Sequence, residues 1–166
     1  MIVKDSMVMI HLAKLSVLEK SCVFFENVAI PKLIFEEIKE GIKLGFEDAV
    51  LINNLIKDKK IDVLEVNDKI LIRKANEFNI KRGEAEAVAL YWENNAKLLA
   101  TDDDNVRKKR NILDIKIIGT PAIILKLYKE KIINKNKIKQ GITTLKEIGW
   151  FHNAVLDRIQ MEVENE

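Results

Sequence analysis

The chain has 166 residues, of which 48% are hydrophobic and 33% charged, with a net charge of +2. That length and composition exclude a disordered chain, and one domain able to bury its core without disulfide staples is expected. No run approaches the ~20 apolar residues of a membrane span, and the near-neutral charge excludes nucleic-acid binding driven by the overall field alone. Cys22 is the single cysteine, so no internal disulfide can form, and its neighbours VFF point to a buried thiol. A lysine and an aspartate within the first five residues argue against a signal peptide. A cytoplasmic location is therefore expected.

In chain order, a short apolar strand at 1–4 stops at Asp5-Ser6. Met7, Ile10, His11, Lys14 and Leu18 then follow helical spacing, with Ser6 available as N-cap. NVAI (27–30) predicts a second strand, ended by Pro31. Pro31 suits a first helical turn, and KLIFEEIKEG follows with Gly41 as a stop. FEDAVLINNLIKD predicts a helix, IDVLEV a third strand, and DKILIRKANEFN a further helix. RGEAEAVALYWENN predicts a long helix opening after Gly83, KLLAT a fourth strand, DNVRKKRNIL a helix and IKIIG a fifth strand. From Thr120 onward three helical segments follow: PAIILKLYKEKII, NKIKQGITTLKEIG and FHNAVLDRIQMEVE.

Short, β-branched strands alternating with helices predict a three-layer α/β/α fold, with a mainly parallel sheet of about five strands. Residues 1–120 form its core and 121–166 a helical C-terminal tail. In such sheets ligands bind at the carboxyl ends of the strands, where strand order reverses. Asp5 ends the first strand, and Asp102, Asp103 and Asp104 end the fourth. If those strands are neighbours, at least two carboxylates converge.

Two helices can add more. Glu84 shares a face with Ala87, Val88 and Tyr91, whereas Glu86 lies about 200° further round, on the surface side. Glu37 flanks the stripe of Ile34, Phe35, Ile38 and Ile42, and Glu36 points farther away. Patterning leaves two readings open. Asp and Thr are good N-caps, and acidic first turns suit the helix dipole, so these residues can be caps and solvated faces. Alternatively, they gather around a hard divalent cation, which takes carboxylate oxygens and activates water for phosphoryl displacement. The run VRKKR (106–110) and Lys81-Arg82 would then form a basic rim attractive to a polyanion, although a solvated helix face explains RKKR equally.

Asp5-Ser6 after an apolar strand, IPKLIFEEI, RGEAEAVAL, LLATDD with VR following, and IKIIGT together resemble the PIN domain, in order and along the whole chain. GTPAIILKLYKEKII and LKEIGWF resemble the helical tail of its VapC-like toxin branch in bacteria and archaea. The resemblance implies an α/β/α nuclease that uses Mg²⁺ or Mn²⁺ to cut RNA. It implies Asp5, Glu37, Glu84 and Asp103 as catalytic and metal-holding residues, with Ser6, Thr101 and Asp102 in support. Arg82, Arg107 and Lys108 are expected to bind substrate. A homodimer and a small cognate antitoxin are further implications of the toxin branch. Two departures stand out: Gly119-Thr120-Pro121-Ala122 replaces a glycine-rich GTLG, and Asp104 is extra, fitting a helix start.

Other residues read as structural. His11 and His152 lack partners at metal spacing, and Tyr91 and Trp92 fit the core better than a base-stacking role. No phosphate-binding glycine loop is present. A receiver-type phosphotransfer domain would need a lysine ending the fifth strand, and IKIIGT supplies none. The remaining rival is a PIN-like module that binds RNA or protein without cutting.

Overall fold

A computed structural model describes residues 1–166. The chain runs β1 (Ile2–Lys4), α1 (Ser6–Lys14), α2 (Leu18–Phe25), β2 (Val28–Pro31), α3 (Lys32–Lys43), α4 (Glu47–Lys57), β3 (Asp62–Leu64) and α5 (Lys69–Glu77). It continues through α6 (Arg82–Glu93), β4 (Leu98–Ala100), α7 (Asp104–Lys108), β5 (Ile117–Ile118), α8 (Thr120–Lys129), α9 (Lys135–Ile148) and α10 (Asn153–Glu164).

The five strands form one all-parallel sheet in the order β3-β2-β1-β4-β5. Helices cover it, giving the expected α/β/α layers. The chain builds outward from β1 through β2 to β3, then returns to the other side of β1 with β4 and β5. Strand order therefore reverses between β1 and β4, which is where such sheets open a crevice at their carboxyl ends. Lys4 pairs with Ala100 in the ladder, and the Asp5 N–H donates to the Ala100 carbonyl at 3.0 Å. The segments after β1 and β4 are thus locked side by side.

A continuous core holds this frame. It joins Val3, Ile30 and Leu99 of the strands to Val88 and Leu90 of α6 and to Ile123, Leu127, Ile142, Leu156 and Val163 of the tail helices. Burying each such side chain contributes about 1.5–3 kcal/mol.

Several boundaries differ from the pattern reading. The first helical run breaks: α1 ends at Lys14, Ser16 takes a positive φ of 57°, and Leu18 opens α2. Asp5, not Ser6, caps α1, because its carboxylate accepts the Val8 N–H at 2.9 Å. Gly41 does not stop α3; a Cβ there would stand 3.0 Å from that of Ala49, so the glycine permits close packing of α3 on α4. The turn comes at Gly45, whose φ of +84° suits a residue without a side chain. The helix predicted after Gly83 begins one residue before it, at Arg82. α7 ends at Lys108, earlier than DNVRKKRNIL suggests, and β3 spans only Asp62–Leu64 of the six residues predicted.

Candidate active site

Asp5 is 2% exposed. Its Oδ1 accepts the Val8 amide, and its Oδ2 is the one buried side-chain polar atom with no hydrogen-bond partner. Burial pushes its pKa up to about 7; Thr101 and the Val8 N–H pull it down, while Asp102 and Glu84 push it further up. Glu84 sits half-buried in the first turn of α6. Asp5 is therefore a fixed carboxyl with one oxygen free and two like charges nearby.

Glu37 stands across from Glu84, on the exposed side of α3. Its pKa is raised, first by desolvation and then by Glu84, against the lowering influence of Ser6 and Arg82. The approach depends on Gly83: a Cβ there would lie 3.0 Å from Glu37 Oε1 and 3.1 Å from Ile34 Cγ1. Arg82 reaches its place with a φ of +51°, a left-handed conformation that costs a residue other than glycine about 1–3 kcal/mol. The neighbouring glutamates go elsewhere. Glu36 pairs with Lys39 at 3.0 Å, and Glu86 accepts the Leu33 N–H at 3.2 Å, helping to cap α3.

The three aspartates after β4 divide their work. Asp102 is 5% exposed and fully engaged: Oδ1 accepts the Thr120 N–H at 2.7 Å, while Oδ2 accepts the Thr120 hydroxyl and His11 Nδ1–H, the latter at 2.8 Å. Asp103 is half-buried and caps α7 through the Val106 N–H at 2.8 Å, while its own amide donates to Thr101 Oγ1 at 3.1 Å. Asp104 is exposed and pairs with Lys108 at 2.9 Å.

The structure thus sets Asp5 within electrostatic reach of Asp102 and Glu84, and Glu84 within reach of Glu37. Asp103 is not among the groups that shift Asp5 or Glu37. As the side chains stand, no group of three or more His, Cys, Asp or Glu residues converges in metal-holding geometry.

The basic run also divides. Arg107 turns inward, close enough that a Cβ on Gly119 would lie 2.6 Å from its guanidinium and 3.1 Å from Asp102 Oδ1. Lys109 donates to the Phe78 carbonyl and Arg110 to that of Arg107. With Lys108 held by Asp104, Arg107 is the member of this run closest to the acidic edge.

His11 is a structural neighbour of this edge, and its partner lies too far along the chain for sequence spacing to reveal. It is 2% exposed, on α1 two turns after Asp5, and bonded to Asp102. Phe151 packs edge-on against its ring at 5.1 Å between centroids. Two core expectations held: the Tyr91 hydroxyl accepts the Lys116 N–H, and Trp92 Nε1–H donates to the Leu113 carbonyl.

A doubly wound parallel sheet covered by helices defines a three-layer α/β/α protein. A PIN-domain family model matches residues 1–164, and the chain belongs to the PIN-domain family. Comparison with curated proteins gave no match, and comparison with solved structures gave none. No helix is long and apolar enough to cross a membrane.

Proposed function

We propose that the protein is a metal-dependent endoribonuclease working at the β1–β4 edge. The observation that carries this reading is the unpartnered, buried Oδ2 of Asp5, held among like charges with a raised pKa. An uncompensated acidic site of this kind is costly alone and is relieved by a hard cation that takes oxygen ligands. Asp5, Glu84 and Glu37 would hold Mg²⁺ or Mn²⁺, with Asp103 contributing from the start of α7. Such an ion supplies charge neutralisation and activation of water for in-line attack on a phosphodiester.

The chain's own part is positioning. The Val8 amide fixes Asp5, and Gly83 lets Glu37 approach Glu84. Ser6 steadies Glu37, Asp102 ties the loop to α8, and Arg82, Arg107 and Lys108 attract the phosphate backbone. Water adds to phosphorus as the bond to the 3′ oxygen breaks, leaving 5′-phosphate and 3′-hydroxyl ends. A role as a cytoplasmic toxin, acting as a homodimer and silenced by a small antitoxin, rests on the sequence resemblance alone.

A second reading, a PIN-like module that binds without cutting, draws support from the absence of three converged ligands. Calorimetric titration with Mn²⁺ separates the two. The nuclease reading requires a saturable Mn²⁺ site in the wild type that Asp5→Asn removes; no binding, or binding that Asp5→Asn leaves intact, favours the silent module.

A further inference from the structure

Gly149 ends α9 in the left-handed conformation, with a φ of +74°, and its amide donates to the Leu145 carbonyl at 3.3 Å. That turn throws the next two residues, Trp150 and Phe151, back across the carboxyl edge of the sheet. Trp150 Nε1–H donates to the Asp102 carbonyl oxygen at 3.1 Å, and its ring lies 6.4 Å from that of His11. Phe151 is the partly buried member of the pair and fills the space against His11.

Trp150 behaves differently. Its polar edge is satisfied and its position is fixed, yet 53% of the residue stays exposed. Leaving an indole this open forgoes burial energy that a core tryptophan would gain. Of the exposed Phe and Trp rings, Phe46 lies between α3 and α4; Trp150 is the one hydrogen-bonded to the loop that carries Asp102 and Asp103. Arg107 reaches the same loop from α7. A flat π-surface and a cation that both reach the Asp102 loop, at the edge of an acidic crevice, match one unpaired nucleotide: a base to stack and a phosphate to hold. Every base offers such a face, so stacking of this kind tolerates sequence variation.

We propose that Trp150 is a base-stacking platform that seats one unpaired nucleobase of the RNA strand against the Asp102 loop, next to the carboxylate edge. The inference rests on the ribonuclease reading and adds to it a positioning residue outside the acidic set.

The test uses Asp5→Asn protein, to separate binding from cutting, carrying Trp150, Trp150→Phe or Trp150→Ala. Each is titrated with a fluorescent oligoadenylate and with a fully abasic strand of the same length. Stacking predicts that Trp150→Ala weakens oligoadenylate binding roughly tenfold, that Trp150→Phe recovers most of it without the indole N–H, and that all three bind the abasic strand equally. A role confined to tying down the loop predicts equal losses on both strands and no recovery by phenylalanine, and either result overturns the proposal. Trp150→Leu, which stays apolar over His11, takes alanine's place if that variant fails to fold. Metal-dependent cleavage of the same oligoadenylate by wild-type protein reports on the nuclease reading separately. Cleavage with binding indifferent to Trp150 sinks the stacking proposal alone, whereas neither binding nor cleavage sinks both.

Discussion

His11 Nδ1 lies 2.8 Å from Asp102 Oδ2, joining α1 to the β4 loop across 91 residues of sequence, and both side chains are closed to solvent. The same carboxylate holds the start of α8 through Thr120. The pair therefore fixes the angle at which the Asp5 helix meets the aspartate loop. Leaving one partner of a buried hydrogen bond to a carboxylate unsatisfied costs about 1–3 kcal/mol. Urea unfolding should show His11→Leu and Asp102→Leu each losing stability on that scale, with the double variant losing far less than their sum. Additive losses would mean that the two side chains act independently.

The Asp5 carboxyl gives a pH signature. Its folded pKa is raised to about 7 from 3.8, so the unfolded chain releases the proton first. Its contribution is intact below about pH 4 and is lost as pH rises to about 7, on the order of 4 kcal/mol in total. In metal-free buffer, wild type should lose stability relative to Asp5→Asn across that window, measured as the difference between their unfolding free energies. Because cation binding needs the ionised carboxylate, Mn²⁺ affinity should weaken below about pH 7. A pH-independent difference would show that Asp5 is not held in a desolvated site.

Much of this arrangement was legible in the sequence, and the exceptions share a cause. Alternating apolar strands and helices gave the layers, whereas helical-face arithmetic did not separate the glutamates by burial: Glu36 and Glu37 are both exposed, and Glu84 and Glu86 are both half-buried. The meeting of Asp5 with the β4 loop depended on strand order, which local pattern cannot fix. His11 was hidden because its partner lies far along the chain and one histidine on an apolar helix carries no spacing signal. Lys4 ends an apolar strand, and no neighbouring residue signals that its ammonium donates to Ser21 Oγ. Trp150 looked like part of a tail because its position depends on the turn at Gly149.

Gly83 tests how Glu37 comes to face Glu84. A Cβ at this position would press on the Glu37 carboxylate and on Ile34, although alanine is about 1 kcal/mol better than glycine within a helix. Gly83→Ala should leave the unfolding midpoint unchanged or slightly raised while RNA cleavage falls about tenfold, as expected for a small misplacement of a reacting group. Unchanged cleavage would remove Glu37 from the reaction.

Lys4 is 0% exposed, donates to Ser21 Oγ at 2.6 Å and lies 5.4 Å from the centre of the Phe25 ring. Desolvation lowers its pKa from 10.5 to about 8, with Cys22 pulling the other way. Below about pH 8 the full cost of the buried ammonium is present, about 3 kcal/mol, and it fades as pH rises towards 10.5. Lys4→Met should therefore be more stable than wild type at pH 7, less the penalty of leaving the Ser21 hydroxyl unpaired. That advantage should shrink steadily between pH 8 and 10.5 in paired thermal melts. An advantage that grows with pH would contradict the buried-charge assignment.

The most direct measurement is cleavage of a single-stranded RNA by purified wild-type protein, Asp5→Asn and Glu84→Gln, with Mn²⁺, with Mg²⁺ and with chelator. The account predicts 5′-phosphate products from wild type with metal, none with chelator, and losses of at least 100-fold in both variants. Equal cleavage by all three proteins, or wild-type cleavage that survives the chelator, would contradict it.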